Sequence, residues 1–417
     1  MLTDARVQRY VNLGWPGRQP VAPSWADAAH AALKRGFPEI AASIELVPVC
    51  SRRRYWDVLE SENGKRVIIA DLKYTETLAE IDALSFVGNP SPILLEVFAT
   101  AVTAWALYSA GEYEKSVVLC AQLRQVADKL TLFRKAAYQS PQAEAIELFV
   151  LFHEAAHALV DDPAVDLGEL RDTVDGALDK FVRTQELFVA DLVWGQSRPG
   201  WAFAGYVPEA GEDLAHMEWQ LDKFRTLTDH NAELRRELYC DFVALTRTVS
   251  FYFGDVLNSS APMDDAQEAK RLADVLIISI RAARAMQTLS AIRSEAAMLR
   301  DGAKVGDYTG FFAEQTMRQN INVNLAAWLL EFAGGNRLTL PNTRGEHLLI
   351  SDLFLRSVKS CFERSTERIL AKTSDVTELL RTPETYQQAK AEVWLAEADR
   401  WHDLVGANAE MLDQVYG

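Results

Sequence analysis

The segment that most constrains the fold of this chain is a predicted helix over residues 141–160. Ser140-Pro141 is typical of a helix start, and Asp161-Asp162-Pro163 is typical of a helix end. Between these signals, apolar residues recur at helical spacing on the face that also carries His153 and His157. The pattern therefore predicts a half-buried helix that holds two histidines side by side.

The spacing of these histidines indicates a metal site. Residues four apart are neighbours on a helix, so His153 and His157 can both point a ring nitrogen at one ion. Glu154 is rotated by about 100°, which places its carboxylate beside the ion rather than on it. Two imidazoles that hold zinc and a carboxylate that takes up a proton are what a metal-activated water requires. The plainer alternative is two ordinary core histidines on a half-buried helix.

A catalytic zinc ion usually has three protein ligands, so the chain must supply one more. The best candidate is Glu237, in a helix predicted over residues 229–250. Asp241 lies one turn further on the same face, and we expect it to accept a hydrogen bond from the second ring nitrogen of His153. The alternatives for the third ligand are Glu186, Asp191, Glu212 and His216.

Taken in this order, the two segments resemble the gluzincin zinc metallopeptidases. H-E-x-x-H at residues 153–157 is followed by Glu237-Leu238-Tyr239-Cys240-Asp241-Phe242-Val243-Ala244. That run is similar to the E-x-x-(A/C)-(D/N)-x-x-A form of compact bacterial intracellular peptidases, including those linked to phage exclusion and repressor cleavage. The resemblance covers only these two segments. It implies a zincin-like fold, one zinc ion and Glu154 as the general base, with a substrate-pairing edge strand beside the active helix.

Other residues are candidates for stabilising a developing oxyanion. His230 is our first candidate, because it lies two turns before Glu237 on the same predicted face. Tyr206, Tyr252 and His216 are alternatives. The loop that contains Trp201, Phe203 and Tyr206 is predicted either as a lid over the site or as an ordinary packed loop.

The predicted fold class is mainly α with a small antiparallel β-sheet. Two apolar runs flank Asn63-Gly64, which predicts a hairpin with a type I′ turn within residues 53–71, and residues 45–49 can add a third strand. We expect a zincin-like catalytic domain over residues 1–256 and an all-helical domain over residues 263–417. Before residue 40, one helix over residues 26–35 is predicted within an irregular lead-in.

Composition narrows the choice of partner and compartment. The chain has 417 residues and a formal net charge of −16, so we expect neither nucleic acid nor an anionic membrane as its main partner. Four widely spaced cysteines without a C-x-x-C pair indicate free thiols in a reducing compartment. We see no signal peptide and no apolar run that reaches the ~18–20 residues needed to cross a bilayer, so a cytoplasmic protein is expected.

These patterns predict a zinc-dependent endopeptidase that cleaves a peptide bond in an intracellular protein. One alternative is a helical regulatory protein that keeps a zincin-like site but cleaves nothing. Another is a zinc hydrolase that acts on a non-peptide bond. Glu154 favours an enzyme, because a purely structural site does not need a carboxylate that is not a ligand. The sequence leaves the substrate and the oligomeric state open.

Overall fold

The computed structural model describes residues 5–14, 23–50, 55–61, 64–86, 92–123, 137, 141–162, 165–193, 221–228, 231–254, 263, 265–301, 309–341, 347–362 and 366–397. Within these ranges the chain is mainly helical with a small sheet, as predicted. The first elements in chain order are α1 (Ala5–Gly14), α2 (Pro23–Gly36), a 3-10 turn (Ala41–Ser43), β1 (Ile44–Val49), β2 (Asp57–Glu60), β3 (Arg66–Asp71) and α3 (Leu72–Phe86).

Two of these helices were not predicted. α1 is only ten residues long, and its buried Val7 and Val11 pack against the sheet. Two apolar residues are too few to establish a helical periodicity in the sequence. α3 begins directly after β3 and joins the main core through Leu78 and Ile81. The segment before residue 93 therefore contains more helix than the sequence pattern indicated.

The sheet is mixed rather than antiparallel, which corrects the prediction. The strand order is β1-β3-β2: β1 runs parallel to β3, and β2 pairs with β3 antiparallel. The central position suits β3, because Val67–Ala70 are fully buried. The predicted third strand is present as β1. Its parallel direction could not be predicted, because an apolar run does not indicate strand direction.

The predicted hairpin is present, but its turn differs from the two-residue type I′ turn that Asn63-Gly64 suggested. The Ser61 N–H donates to the Lys65 carbonyl at 2.8 Å, and the Gly64 N–H donates to the Ser61 carbonyl at 3.0 Å. These bonds define a three-residue connection, in which Gly64 takes the positive φ of 77° that a bulge of this kind requires. Residues 62 and 63 lie outside the described part of the chain.

The remaining elements are α4 (Pro92–Ser109), α5 (Tyr113–Leu123), α6 (Pro141–Val160), α7 (Gly168–Val193), α8 (Ala232–Phe253), α9 (Ala266–Asp301), α10 (Thr309–Phe332), β4 (Thr339–Pro341), β5 (His347–Leu349), α11 (Ile350–Phe362), α12 (Thr366–Arg381) and α13 (Pro383–Glu397). The antiparallel pair β4–β5 corrects the expectation of an all-helical C-terminal region. Strands of three residues are too short for an alternating pattern to reveal.

α6 lies at the centre of the fold. It packs against α8, α9, α3 and α2, and it also contacts β2 and β3. One continuous hydrophobic cluster contains residues from both sides of position 260, from Ala29 to Leu380. The predicted boundary between 256 and 263 stays a prediction, since residues 255–262 are outside the described ranges.

Two helices are long and apolar enough to cross a membrane by length and composition, Pro92–Ser109 and the Ala266–Ala297 part of α9. Within the fold, 67% and 72% of the most apolar window of each helix is buried. Buried core helices of soluble proteins can have the same length and composition, so these two features alone are weak evidence for a membrane span.

Candidate metal centre

α6 places both predicted histidines in the interior. His153 and His157 are 2% and 7% exposed, and their ring centroids are 5.0 Å apart. Phe149, one turn before His153, stacks on its ring at 6.5 Å. Phe152 turns to another side of the helix and packs edge-on against Phe37. The apolar positions of α6 thus anchor the helix and leave the two imidazoles facing α8.

α8 carries the other predicted residues. Its first turn is fixed by Asn231, whose side chain accepts a hydrogen bond from the Leu234 N–H at 2.9 Å. Glu237 and Asp241 follow on the face that packs against α6, as residues four apart on one helix do. The two helices therefore bring two histidines and two carboxylates into one buried site.

The distances between these groups match those of ligands on a common ion. His153 Nε2 lies 3.4 Å from Glu237 Oε2, and His157 Nε2 lies 3.5 Å from Glu237 Oε1. Ligand bonds of ~2.0–2.2 Å at tetrahedral angles put neighbouring ligand atoms about 3.4 Å apart. One donor atom from each of the three residues lies within 4.8 Å of the others. A His/His/Glu group of this geometry can hold a metal ion.

The Nδ1 atom of each imidazole, on the side of the ring away from Glu237, also has a close partner. Asp241 Oδ1 is 3.0 Å from His153 Nδ1, and Asp241 is only 1% exposed. His157 Nδ1 contacts Cys240 Sγ at 3.2 Å. Groups in these positions set which ring nitrogen carries a proton and how the ring is oriented. The sequence indicated the first contact, but it placed Cys240 among ordinary buried thiols.

Arg318 on α10 was missed by the sequence analysis, although it binds both carboxylates. Its Nε and Nη2 atoms donate to Asp241 at 2.5 and 2.8 Å, and its Nη1 lies 2.9 Å from Glu237 Oε2. Asn322 donates to Asp241 Oδ2 at 2.8 Å. Arg318 is 7% exposed, so this charge is buried with its partners. It compensates the negative charge of the site and fixes the orientation of both carboxylates.

The electrostatics of the two histidines differ. Burial acts to lower the pKa of His153, but contacts with Asp241 and Glu237 outweigh it and raise the pKa to about 10. Burial and the neighbouring His153 charge lower the pKa of His157 to about 3. Arg318 holds the pKa of Glu237 and of Asp241 below their usual range despite burial. Without a metal, the site thus holds one protonated and one neutral imidazole between carboxylates.

Glu154 lies in the same cavity as the three-residue group, and burial raises its pKa to about 7. The charge on His153 opposes this shift, and that on Glu237 adds to it. A carboxylate whose pKa is near neutral can both accept and release a proton at physiological pH. Glu154 therefore has the properties of a general base.

The site opens into a cavity of about 350 Å³. β2 and the residues before it, from Tyr55 to Val58, line one side, and Tyr74 on α3 lies nearby. α9 and α10 supply much of the rest through Met286, Gln287, Ser290, Arg293, Glu314, Gln315 and Arg318. The C-terminal helices thus form part of the wall of the site.

The structure separates the remaining predicted residues into two groups. Glu186 is bound to Arg225 on the surface, and Tyr252 is 43% exposed and does not line the cavity, so neither belongs to the site. The other group lies outside the described residues and keeps the status of predictions: His230, Tyr206, Glu212, His216 and the Trp201–Phe203 loop, as well as the side chain of Asp191.

The residues that the sequence analysis missed lie on α9 and α10. Arg318 and Asn322 lie among the buried apolar residues of α10, next to Met317 and Ile321, and Gln287 lies next to the buried Met286 on α9. Polar residues among apolar ones were the sequence feature that could have drawn attention to these positions. The sequence could not show that they meet at one cavity, because that depends on how α9 and α10 pack against α6 and α8.

Comparison of the chain with models of known protein families found no match, and neither did searches of curated proteins and of solved structures.

Proposed function

We propose that this chain is a metal-dependent peptidase of the gluzincin kind, with His153, His157 and Glu237 as ligands of one ion. The observation that carries the proposal is the separation of 3.4 and 3.5 Å between the imidazole nitrogens and the Glu237 oxygens. Zinc is the expected ion, because two imidazoles and a carboxylate suit it well.

The residues of the chain have separate tasks in this proposal. A bound ion would act as a Lewis acid, which lowers the pKa of a water molecule and polarises a carbonyl group. Glu154 takes up the proton of the attacking water and later delivers it to the leaving amine. Asp241 holds the ring of His153 in place, and Arg318 holds Asp241 and Glu237.

The position of β2 supports a peptide as the substrate. β2 pairs with β3 on one side and is an edge strand among the described strands. Asp57 and Val58 of this strand line the cavity that contains Glu154. An edge strand offers unpaired backbone groups to an extended peptide. A peptide bound in this way would run along the mouth of the site, in the cytoplasmic compartment that we expect for this protein.

Cleavage of a peptide library tests the proposal. The zinc-loaded chain is incubated with a proteome-derived peptide library, and new termini are identified by mass spectrometry. We expect cleavage by the wild type and a loss of about 10²–10⁴ in rate for Glu154→Gln, which removes the general base. The matched control is Glu233→Gln, since Glu233 lines the same cavity but its side chain is 65% exposed.

Two results would favour the other functions. A chain that binds zinc but cleaves no peptide and no folded protein would support a regulatory protein with a silent site. Hydrolysis of a simple ester that depends on Glu154, without any peptide cleavage, would support a hydrolase of non-peptide bonds.

A further inference from the structure

Gln287 is a buried amide side chain that faces the cavity without a partner. It lies on α9, is 3% exposed, and neither its Oε1 nor its Nε2 makes a hydrogen bond with any described residue. The Oε1 of Gln315 on α10, which lines the same cavity, is also buried without a partner among the described residues. Buried polar groups are nearly always hydrogen-bonded, so each exception requires an explanation.

We propose that Gln287 is a specificity-determining residue that binds an amide group of the substrate, an inference that rests on the proposed peptidase function. A carboxamide presents one acceptor and one double donor. The partner that satisfies both atoms at once is another amide, which offers a carbonyl oxygen and an N–H. Gln315 Oε1, which lines the same cavity, offers a further acceptor for an N–H of the bound amide group.

The surroundings of Gln287 favour a peptide as the source of this amide. Ser290 and Arg293 line the same cavity further along α9, and both also line a second cavity of about 420 Å³. Tyr55 borders both cavities as well. The face from Met286 to Ala297 spans about 16 Å along the helix axis. That length accommodates about five residues of an extended chain.

The amide can come from the peptide backbone or from a glutamine or asparagine side chain of the substrate. A side chain would make the site selective for one residue at one position. A backbone amide would contribute to the binding of every peptide. Both sources require the same two atoms of Gln287. They differ in whether Gln287→Met changes the selectivity of the site between peptides.

Peptide binding distinguishes these outcomes without requiring cleavage. Acetylated and amidated hexapeptide libraries, with one position fixed in turn as Gln, Glu or Leu, are titrated against zinc-loaded Glu154→Gln chain with and without Gln287→Met. Methionine keeps the length of the side chain and removes both polar atoms. Gln267→Met is the matched control, because Gln267 is an exposed glutamine on the same helix.

With a side-chain source, one position prefers Gln by about tenfold or more, and Gln287→Met abolishes that preference. With a backbone source, no position shows a preference, and Gln287→Met weakens all peptides by about tenfold. The proposal would be overturned if the chains with and without Gln287→Met bound all peptides equally. It would also be overturned if neither chain bound any peptide. Metal content and cleavage are measured separately, so failure of the proposed peptidase function is distinguishable.

Thermal stability gives a second readout. Since Gln287 has no described partner, Gln287→Met should raise the Tm by about 1–3 °C. A fall in Tm would show that the side chain supports the fold through hydrogen bonds, which would contradict a role in binding substrate.

Discussion

Asp241 lies between two buried partners, with the ring of His153 on one side and the guanidinium of Arg318 on the other. All three side chains are buried, so each charge depends on the others for compensation. The sequence could indicate Asp241, because it stands one turn after Glu237 on a predicted helix. It could not indicate Arg318, which is far away in the chain and in a segment without a motif.

The first prediction concerns this carboxylate. Asp241→Asn leaves Arg318 buried with less compensating charge, so we expect a loss of about 3–5 kcal/mol in the free energy of unfolding. Zinc affinity should fall by about 10–100-fold, because His153 loses the partner that orients it. Urea unfolding and a competitive zinc titration measure the two effects.

The control is Asp274→Asn, which breaks an exposed ion pair with Lys270 on α9. This change should cost less than about 1 kcal/mol and leave zinc affinity unaltered. If Asp241→Asn behaved like this control, Asp241 would not support the metal site.

The second prediction concerns protons. With a pKa of about 10, the ring of His153 carries two protons at neutral pH when no metal is bound. A metal ligand must be a neutral imidazole, so metal binding has to release a proton. Zinc affinity should therefore rise with pH between 6 and 8, by about tenfold per pH unit for this proton. Isothermal titration calorimetry in buffers of different ionisation enthalpy counts the protons released, and a count near zero would contradict the assignment of His153.

At the scale of elements, the contact between α2 and α6 sets the position of the histidine helix. A Cβ atom on Gly36 would lie 2.6 Å from the ring of Phe152, the residue next to His153. That ring is fully buried and packs between Phe37 and Phe251, so it has little room to move. Gly36 is thus required for the close approach of the two helices.

The third prediction follows from this contact. Gly36→Ala should reduce the free energy of unfolding by about 1–3 kcal/mol, because the core is overpacked. Gly176→Ala is the matched control, since a Cβ there meets nothing within 4 Å on helix α7. The control should stabilise the chain by up to about 1 kcal/mol. If both variants changed the free energy of unfolding in the same direction in urea, the contact would not be as tight as described.

The long elements that carry clear end signals were predicted best from the sequence. α6 begins and ends where Pro141 and the Asp161-Asp162-Pro163 run predict, and α8 (Ala232–Phe253) lies three residues later at each end than the predicted 229–250. The short elements α1, β4 and β5 were not predicted, because tertiary packing outweighs the local sequence pattern there. Strand direction failed for a related reason, since an apolar run does not specify which neighbour a strand pairs with.

At the scale of the whole molecule, both halves of the chain build the site. The ligands come from α6 and α8, whereas Arg318 and Gln287 come from α10 and α9. The sequence predicted a catalytic domain that ends at residue 256, because Asn258-Ser259-Ser260 and Pro262 are typical of a linker. In the described fold, α9 packs directly on α6 and α8, and its apolar residues belong to the same core.

The fourth prediction is that residues 1–262 do not fold alone. Removal of α9 and α10 exposes the core faces of α6 and α8 and leaves Asp241 without Arg318. We expect no cooperative thermal transition and no stoichiometric zinc binding by this fragment. Co-expression with residues 263–417 should restore both, which serves as the control. A fragment that folds and binds zinc alone would instead support the predicted domain boundary.

The most direct test of the central claim is the metal content of purified protein. Wild type, Glu154→Gln and Glu233→Gln should each bind about one zinc per chain, because neither glutamate is a ligand in this account. His153→Ala and Glu237→Ala should lose most of the metal, as measured by inductively coupled plasma mass spectrometry on folded, dialysed samples. Negligible zinc in all five proteins, or an equal amount in all five, would contradict a metal site formed by His153, His157 and Glu237.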